Sequence, residues 1–238
     1  QLSGLNEYCL SIIRWRGQLY VGTIQGIYRL FHPPSSHSPG KRKYNSHSFI
    51  RVKGTKLVCW QFIQFQKRLF AGCEDGLFEI VGDTAVKPPD NYKIGQVLSL
   101  GTSSRFPGYL FAGLPEGIAV CEISSSTLDK KSPKGQSLTP DRFPGPARIR
   151  YRGRIRGISE TIRKIACDND GNLWLSTNVK GIIYLRFAGD DVRQFQIYRF
   201  GKENGLPEVS WNSVAFFSGQ LWLSTRIGMY KLLNPGEK

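Results

Sequence analysis

The chain has 238 residues and a formal net charge of +15, from 33 Lys and Arg against 18 Asp and Glu. A chain of this length can bury a sizeable core, and it contains no run of 18 apolar residues that would predict a membrane-spanning helix. Its first residues lack an initiator Met, a charged n-region and an apolar h-region, so no signal peptide is visible. The positive charge favours anionic partners through long-range attraction.

Five copies of one pattern run along the chain. Each copy reads Leu, an aromatic residue, an aliphatic residue and Gly or Ser, followed a few residues later by Gly and an apolar residue; the copies begin at Leu19, Leu69, Leu110, Leu173 and Leu221. Large apolar residues alternate with small or polar ones, which is the two-residue period of a half-buried strand. A second alternating run follows each Gly, so every copy predicts a β-hairpin.

A third strand is predicted before each hairpin. These strands are expected at Cys9–Trp15, Cys59–Phe65, 96–100, Ile162–Cys167 and Ser213–Phe217. A weaker fourth strand is expected after the hairpins, for example at 48–52 and 194–200. Four antiparallel strands per repeat make one blade of a β-propeller, so the sequence predicts an all-β fold of this kind.

The spacing of the copies supports a propeller of about five blades. Blades of about 40–50 residues are typical of such repeats. Positions 110 and 173 are further apart than that, and we expect an insertion at about 124–150 to account for the difference. The whole chain, 1–238, is then one propeller, with blades at about 7–54, 55–93, 94–158, 159–205 and 206–233.

Two stretches of the sequence resemble the two-component regulator propeller repeat: 172–177, and 205–207 followed by 221–225 and 228–230. In the first two copies Tyr20 and Phe70 replace the Trp of the repeat, and the third copy matches weakly. The resemblance implies the extracytoplasmic, ligand-sensing part of a membrane-anchored histidine kinase or hybrid two-component protein. In the best-known relatives the ligand is an oligosaccharide.

The fifth repeat lacks a fourth strand, and residues 1–7 are too few and too polar to supply one. We therefore expect an open piece of a larger propeller, with a self-closed ring of five blades as the alternative. Exposed sheet edges invite pairing with other strands. Because the sequence contains no kinase core, the expected partners include a neighbouring propeller or signalling domain of the same parent protein, or a second copy in a dimer.

A propeller presents two sets of loops on one face, namely those that enter the inner strands and those that join the second and third strands. Aromatic, amide and cationic side chains in these loops are the predicted ligand-binding residues: Tyr8, Gln25, Trp60, Arg163, Lys164, Asn178, Lys180, Trp211, Asn212 and Arg226. Aromatic platforms beside polar groups suit sugar recognition, and the cations suit an anionic ligand. For Trp60 and Trp211 the alternative is packing between blades, whereas the repeated Trp174 and Trp222 are predicted core residues.

Positive charge is concentrated at 148–156, which holds five Arg, with smaller clusters at 41–43 and 130–131. These runs are interpreted as solvated loops and an outer strand face, or as a docking surface for an acidic polysaccharide, an anionic lipid or a nucleic acid. A nucleic-acid role rests on charge alone. The five Cys have no C-x-x-C spacing, which favours structural thiols over a metal or redox site.

Signals for catalysis are weak. The three His, at 32, 37 and 47, fall in one Pro/Ser-rich stretch, and no spacing singles out a pair among Glu7, Glu74, Asp75, Glu116 and Glu208. The run Asp168-Asn169-Asp170-Gly171 is better explained as a turn than as a calcium loop. We therefore predict no catalytic residue, metal or cofactor. A protein-interaction scaffold is the first alternative to a sensor, and a lyase or hydrolase is the second.

Overall fold

The strands of the computed structural model form five antiparallel sheets that follow one another along the chain. The structure describes residues 4–31, 48–89, 91–124 and 145–232. The first sheet is β1 Cys9–Trp15, β2 Gln18–Thr23, β3 Gly26–Phe31 and β4 Ser48–Arg51, and the second is β5 Cys59–Phe65, β6 Arg68–Cys73, β7 Gly76–Val81 and β8 Thr84–Val86. The third is β9 Ser99–Thr102, β10 Tyr109–Gly113, β11 Ile118–Ser124 and β12 Arg148–Arg154.

The fourth sheet is β13 Ile162–Cys167, β14 Leu173–Thr177, β15 Ile182–Phe187 and β16 Phe195–Phe200. The fifth has three strands in the described part of the chain, β17 Ser213–Phe217, β18 Gln220–Thr225 and β19 Gly228–Lys231. Helical structure within the described residues is limited to α1 Asn91–Ile94 and a 3-10 turn at Lys202–Asn204. The architecture is an all-β propeller, as the sequence predicts.

Two-residue turns join the first and second strands of three blades. Arg16-Gly17, Gln66-Lys67 and Ser218-Gly219 all have positive φ at both residues. This is the conformation of a type I′ turn, whose twist matches that of the strands on either side. In these three blades the strand predicted before the hairpin is therefore joined to it by a tight turn whose geometry suits antiparallel strands.

The fourth blade uses a longer turn built around Asp168. One carboxylate oxygen accepts hydrogen bonds from the backbone N–H groups of Asp170 and Asn172, at 3.1 and 2.8 Å. The other accepts from Trp174 Nε1 at 3.3 Å. The carboxylate is therefore engaged in holding the turn, in agreement with the turn predicted here instead of a calcium loop.

Neighbouring blades pack through their inner strands, β1 against β5, β5 against β9, β9 against β13 and β13 against β17. Four hydrophobic clusters fill the spaces between successive blades. The outward faces of the first and fifth blades are exposed instead: Ile12 is 67% exposed, Phe217 70% and Met229 71%. No described element covers them.

This difference in coverage determines how far two equivalent tryptophans are buried. Trp174 is 8% exposed and stacks on Tyr184 with ring centroids 4.2 Å apart, because the fifth blade covers that face of the fourth. Trp222 occupies the matching position in the fifth blade and is only half-buried. The prediction of a core residue is therefore right for Trp174 and wrong for Trp222, since no described blade follows the fifth.

Strand positions agree closely with the sequence pattern, except in the third blade. Its inner strand was expected at 96–100 and lies at Ser99–Thr102. Val97 and Leu98 are buried before that strand and donate backbone hydrogen bonds to Cys73 O and Gly113 O, so their apolar character reflects a buried loop. Residues 125–144 of the expected insertion, the three His and the small basic clusters lie outside the described residues.

The basic run at 148–156 includes the whole outer strand of the third blade, β12.

A buried ion pair fixes the chain just before β12 to the second blade. Arg68 Nη1 lies 2.6 Å from Glu79 Oε1, and the two side chains are 8% and 3% exposed. Glu79 Oε2 accepts from the Ala147 N–H at 2.6 Å, and Arg68 Nη1 also donates to Gly145 O at 2.8 Å.

Candidate ligand face between the fourth and fifth blades

Three loops meet where the fourth blade adjoins the fifth. The Asn178 N–H donates to Thr161 O at 3.1 Å, which ties the loop after β14 to the loop that enters β13. The Trp211 N–H donates to Asn178 O at 3.1 Å, and the Gly181 N–H donates to Val209 O at 2.8 Å. These bonds join the loop entering β17 to the same assembly. The loops therefore form one connected surface, with backbone positions fixed by both blades.

Trp211 projects from this surface in a strained conformation. Its φ is 57°, in the left-handed region that a bulky residue rarely adopts, and its side chain is 60% exposed. The Arg163 guanidinium carbon lies over the indole at 5.7 Å from the ring centroid, which is within the range of a cation–π interaction. The ring is thus presented to solvent beside a cation and is not buried between blades.

Buried acceptors lie on the same loops. Within the described residues, Asn178 Oδ1, Asn212 Oδ1 and Glu208 Oε2 are buried without a hydrogen-bond partner. Asn212 Nδ2 is satisfied by Glu208 O at 2.7 Å, and the other Glu208 oxygen pairs with Arg226 Nη2 at 3.3 Å. Buried polar atoms are nearly always paired, so three unpaired acceptors on adjoining loops are a notable feature of this junction.

Five of the ten predicted ligand-binding residues thus belong to these joined loops or contact them: Arg163, Asn178, Trp211, Asn212 and Arg226. Two more lie on the same elements, Lys164 half-buried in β13 and Lys180 exposed in the turn after β14. The remaining three, Tyr8, Gln25 and Trp60, lie on the first two blades. Within the described part of the chain, these three side chains form no hydrogen bond, ion pair or ring contact with the Trp211 loops.

Glu208 also belongs to this surface, although it is not among the ten predicted ligand-binding residues. It is the acidic member of the loop that holds Trp211 and Asn212, and its pairing with Arg226 joins that loop to the hairpin of the fifth blade. The signal in the sequence that could have identified Glu208 is its position three residues before Trp211, in the loop that enters β17. The arrangement offers an aromatic platform, cations and hydrogen-bond acceptors within one surface, which are the groups used to bind polar ring-shaped ligands.

Across the described ranges, no three His, Cys, Asp or Glu side chains are grouped as metal ligands. No helix in that part of the chain is long and apolar enough to cross a membrane.

Several solved structures are similar to this chain. The extracellular domain of a protein described as a hybrid two-component system, from B. thetaiotaomicron, is 19% identical with a TM-score of 0.49; the match covers 95% of this chain and 34% of that one. The Neurospora crassa Pan2 WD40 domain is 8% identical with a TM-score of 0.52, covering 96% of this chain and 61% of that one. The likeness to Pan2 shows the propeller fold.

An aldose sugar dehydrogenase from Streptomyces coelicolor is 14% identical with a TM-score of 0.47, and the match covers 94% of this chain and 75% of that one. The chain spans about a third of the length of the two-component domain described above. No curated protein sequence matches the chain closely enough to count as a relative.

The family description of the two-component regulator propeller matches residues 157–179. This segment runs from the loop entering β13 to the loop after β14, so it includes Leu173–Thr177 of the fourth copy and part of the Trp211 surface. The resemblance expected from that copy is confirmed, because residues 157–179 match the two-component regulator propeller repeat.

Proposed function

We propose that the chain is the extracytoplasmic sensor propeller of a two-component signalling protein, without catalytic activity of its own. Its ligand is an oligosaccharide or another polar, anionic molecule that binds around Trp211. This proposal rests on the exposed indole of Trp211, which lies on a strained backbone and has Arg163 over its ring. Strained backbone persists where surrounding structure holds it in place, and such residues cluster at binding sites.

The chemistry of the surface suits a sugar with an acidic group. The apolar face of a sugar ring can stack on the indole, while its hydroxyl groups form hydrogen bonds with polar groups of the same loops. Arg163 and Lys180 provide positive charge for a carboxylate or sulfate. Because these residues come from two blades, a bound ligand would bridge them and oppose any change in their relative position.

Such bridging gives the site a way to signal. A ligand shifts a conformational equilibrium only by its difference in affinity between two states. A ligand that contacts both blades binds more tightly when their loops are joined as they are here. The state so favoured would be read by a neighbouring domain of the parent protein or by a second copy of the chain.

The test is binding to an array of neutral and acidic oligosaccharides at physiological salt. We expect selective, saturable binding that falls at least about tenfold in Trp211→Ala, corresponding to ~1.4 kcal/mol, and that also falls in Arg163→Ala. Phe217→Ala is the matched control, because Phe217 is an exposed aromatic at the other end of β17. An equal loss in all three variants, or no glycan binding by the wild-type chain, would contradict the proposal.

A protein-interaction surface is the second candidate, and the exposed apolar residues of the end blades favour it. Ile12, Phe217 and Met229 lie on outward faces that no described element covers. Exposed apolar patches commonly mark protein contacts. This candidate predicts that substitutions on those faces alter assembly while leaving any glycan binding at Trp211 intact.

A further inference from the structure

A second concave site lies on the circumference of the molecule, between the outer parts of the third and fourth blades. The cleft has a volume of about 520 Å³. Its floor includes the buried side chains of Val120, Ile155 and Val192, and the half-buried rings of Tyr109 and Phe195 adjoin it. This volume is within the range of small-molecule sites. The cleft shares no residue with the Trp211 surface.

Four arginines line this cleft: Arg152, Arg154, Arg156 and Arg193. The first two come from β12, and Arg156 follows that strand. Arg152 is the extra residue of a β-bulge, because Val120 pairs with Gly153 and Cys121 pairs with Tyr151. A bulge bends its strand and redirects its side chains, which is a common device beside binding sites. Three of the five arginines in the basic run at 148–156 therefore line one cleft.

Most of this positive charge is not neutralised. Arg152 Nε lies 3.2 Å from Glu122 Oε2, so this residue has an acidic partner. Arg154 Nη1 donates to the backbone oxygen of Glu116 at 3.1 Å, which leaves its charge uncompensated. The exposed side chains of Arg156 and Arg193 have no hydrogen bond or ion pair within the described residues.

One carboxylate lines the cleft beside these arginines. Asp191 Oδ1 accepts the backbone N–H of Arg193 at 2.9 Å, as part of the turn before β16. Four guanidinium groups therefore face one lining carboxylate and the nearby Glu122. Guanidinium groups bind oxyanions through paired, charge-assisted hydrogen bonds, and they are less strongly hydrated than ammonium groups.

We propose that this cleft binds a small ligand that carries several oxyanion groups on a compact, ring-sized body. The arginines take the sulfate, phosphate or carboxylate groups, and the apolar floor with Tyr109 and Phe195 takes the body of the ligand. A flat lipid surface does not enter a concave cleft, and the volume matches a small molecule and not a nucleic-acid duplex. The site is independent of the Trp211 surface.

The test is calorimetric titration of the full chain at physiological salt with three probes: sucrose octasulfate, inositol hexakisphosphate and benzenehexacarboxylate. Sucrose serves as the neutral control. We expect one site per chain for at least one anionic probe, with the preferred probe identifying the oxyanion. Arg156→Ala/Arg193→Ala should weaken that binding at least about tenfold, because two unpaired charges are removed from the cleft.

A matched variant separates this site from general attraction to a basic protein. Arg14→Ala/Lys53→Ala removes two exposed charges, one in β1 and one just after β4. This variant should change the affinity less than about threefold. Trp211→Ala should bind the anionic probe like the wild type, whatever its effect on glycan binding. Equal loss in both double variants, loss in Trp211→Ala, or binding of none of the three probes would overturn the proposal.

Discussion

Gly113 lies where β10 passes close to the inner strand of the next blade. A Cβ atom there would be 2.8 Å from Ile162 O and 2.9 Å from Ile162 Cγ2, and closer still to Ser99 Oγ. Gly22 meets a similar limit in the first blade, where a Cβ would be 2.7 Å from Cys59 O. The small residue of the repeat therefore allows one blade to approach the next.

We expect Gly113→Ala to destabilise the protein by about 1–3 kcal/mol, because the added methyl group overpacks the contact with Ile162. Gly108→Ala is the control, since a Cβ at Gly108 meets nothing within 4 Å. Chemical denaturation of both variants measures the difference in the free energy of unfolding. Equal stability of the two variants would show that the neighbouring blade adjusts without cost.

Cys121 makes stability depend on pH in the alkaline range. Burial raises the pKa of its thiol to about 12, above the ordinary thiol value of about 8.5. Below that ordinary value the thiol is neutral in both folded and unfolded chains and has no effect. Between the two values the unfolded chain releases the proton and the folded chain keeps it, so the free energy of unfolding decreases as pH rises.

The expected decrease from this thiol is about 2 kcal/mol between pH 8 and pH 10. Denaturant titrations at both pH values should therefore show a smaller decrease in Cys121→Ala than in the wild type. Cys9→Ala should behave like the wild type, because Cys9 is exposed in the folded chain. An identical pH dependence in all three proteins would be inconsistent with a buried, protonated Cys121.

At the scale of elements, the Arg68–Glu79 pair connects β6 and β7 to the segment before β12. Arg68→Met would leave the Glu79 carboxylate buried without its cation, and we expect a loss of about 3–5 kcal/mol in unfolding free energy. In Arg68→Met/Glu79→Gln the charge is also removed, so part of the stability should return. Thermal and denaturant unfolding would both report this order.

A surface pair provides the comparison for that prediction. Arg29 Nη2 lies 2.8 Å from Asp83 Oδ2, but the Asp83 side chain is 63% exposed. Exposed ion pairs contribute about 0–1 kcal/mol, so Arg29→Met should have a small effect. If both substitutions cost the same, burial would not be the reason for the importance of Arg68.

At the scale of the whole molecule, the four inter-blade clusters leave one apolar face open at each end of the series of blades. We expect the chain to self-associate reversibly at high concentration through these faces, because exposed apolar surface and open sheet edges promote pairing. Phe217→Lys/Met229→Lys should reduce the association measured by sedimentation, since Lys opposes edge-to-edge contact.

Tyr92→Lys/Leu57→Lys adds the same charge at exposed apolar positions away from the fifth blade. This control should sediment like the wild type. If both double variants reduce association equally, net charge and not the fifth blade controls it. Association that neither variant changes would point to another surface.

Local sequence determined the repeats and most of their strands. Apolar alternation and Gly-containing turns act over a few residues, so β1, β5, β13 and β17 lie at the predicted residues. The family repeat at 157–179 is likewise a local signal. In the third blade, burial in a loop and burial in a strand give the same apolar pattern, and the inner strand was therefore misplaced.

Only the tertiary structure decided which candidates share a surface. Arg163 and Trp211 are far apart in sequence and meet because the fourth and fifth blades pack side by side. The same packing covers Trp174 and leaves Trp222 half-buried, and it gathers part of the basic run with Arg193 at a cleft between blades. Strand pattern is local, whereas a site between blades depends on contacts that no short stretch of sequence specifies.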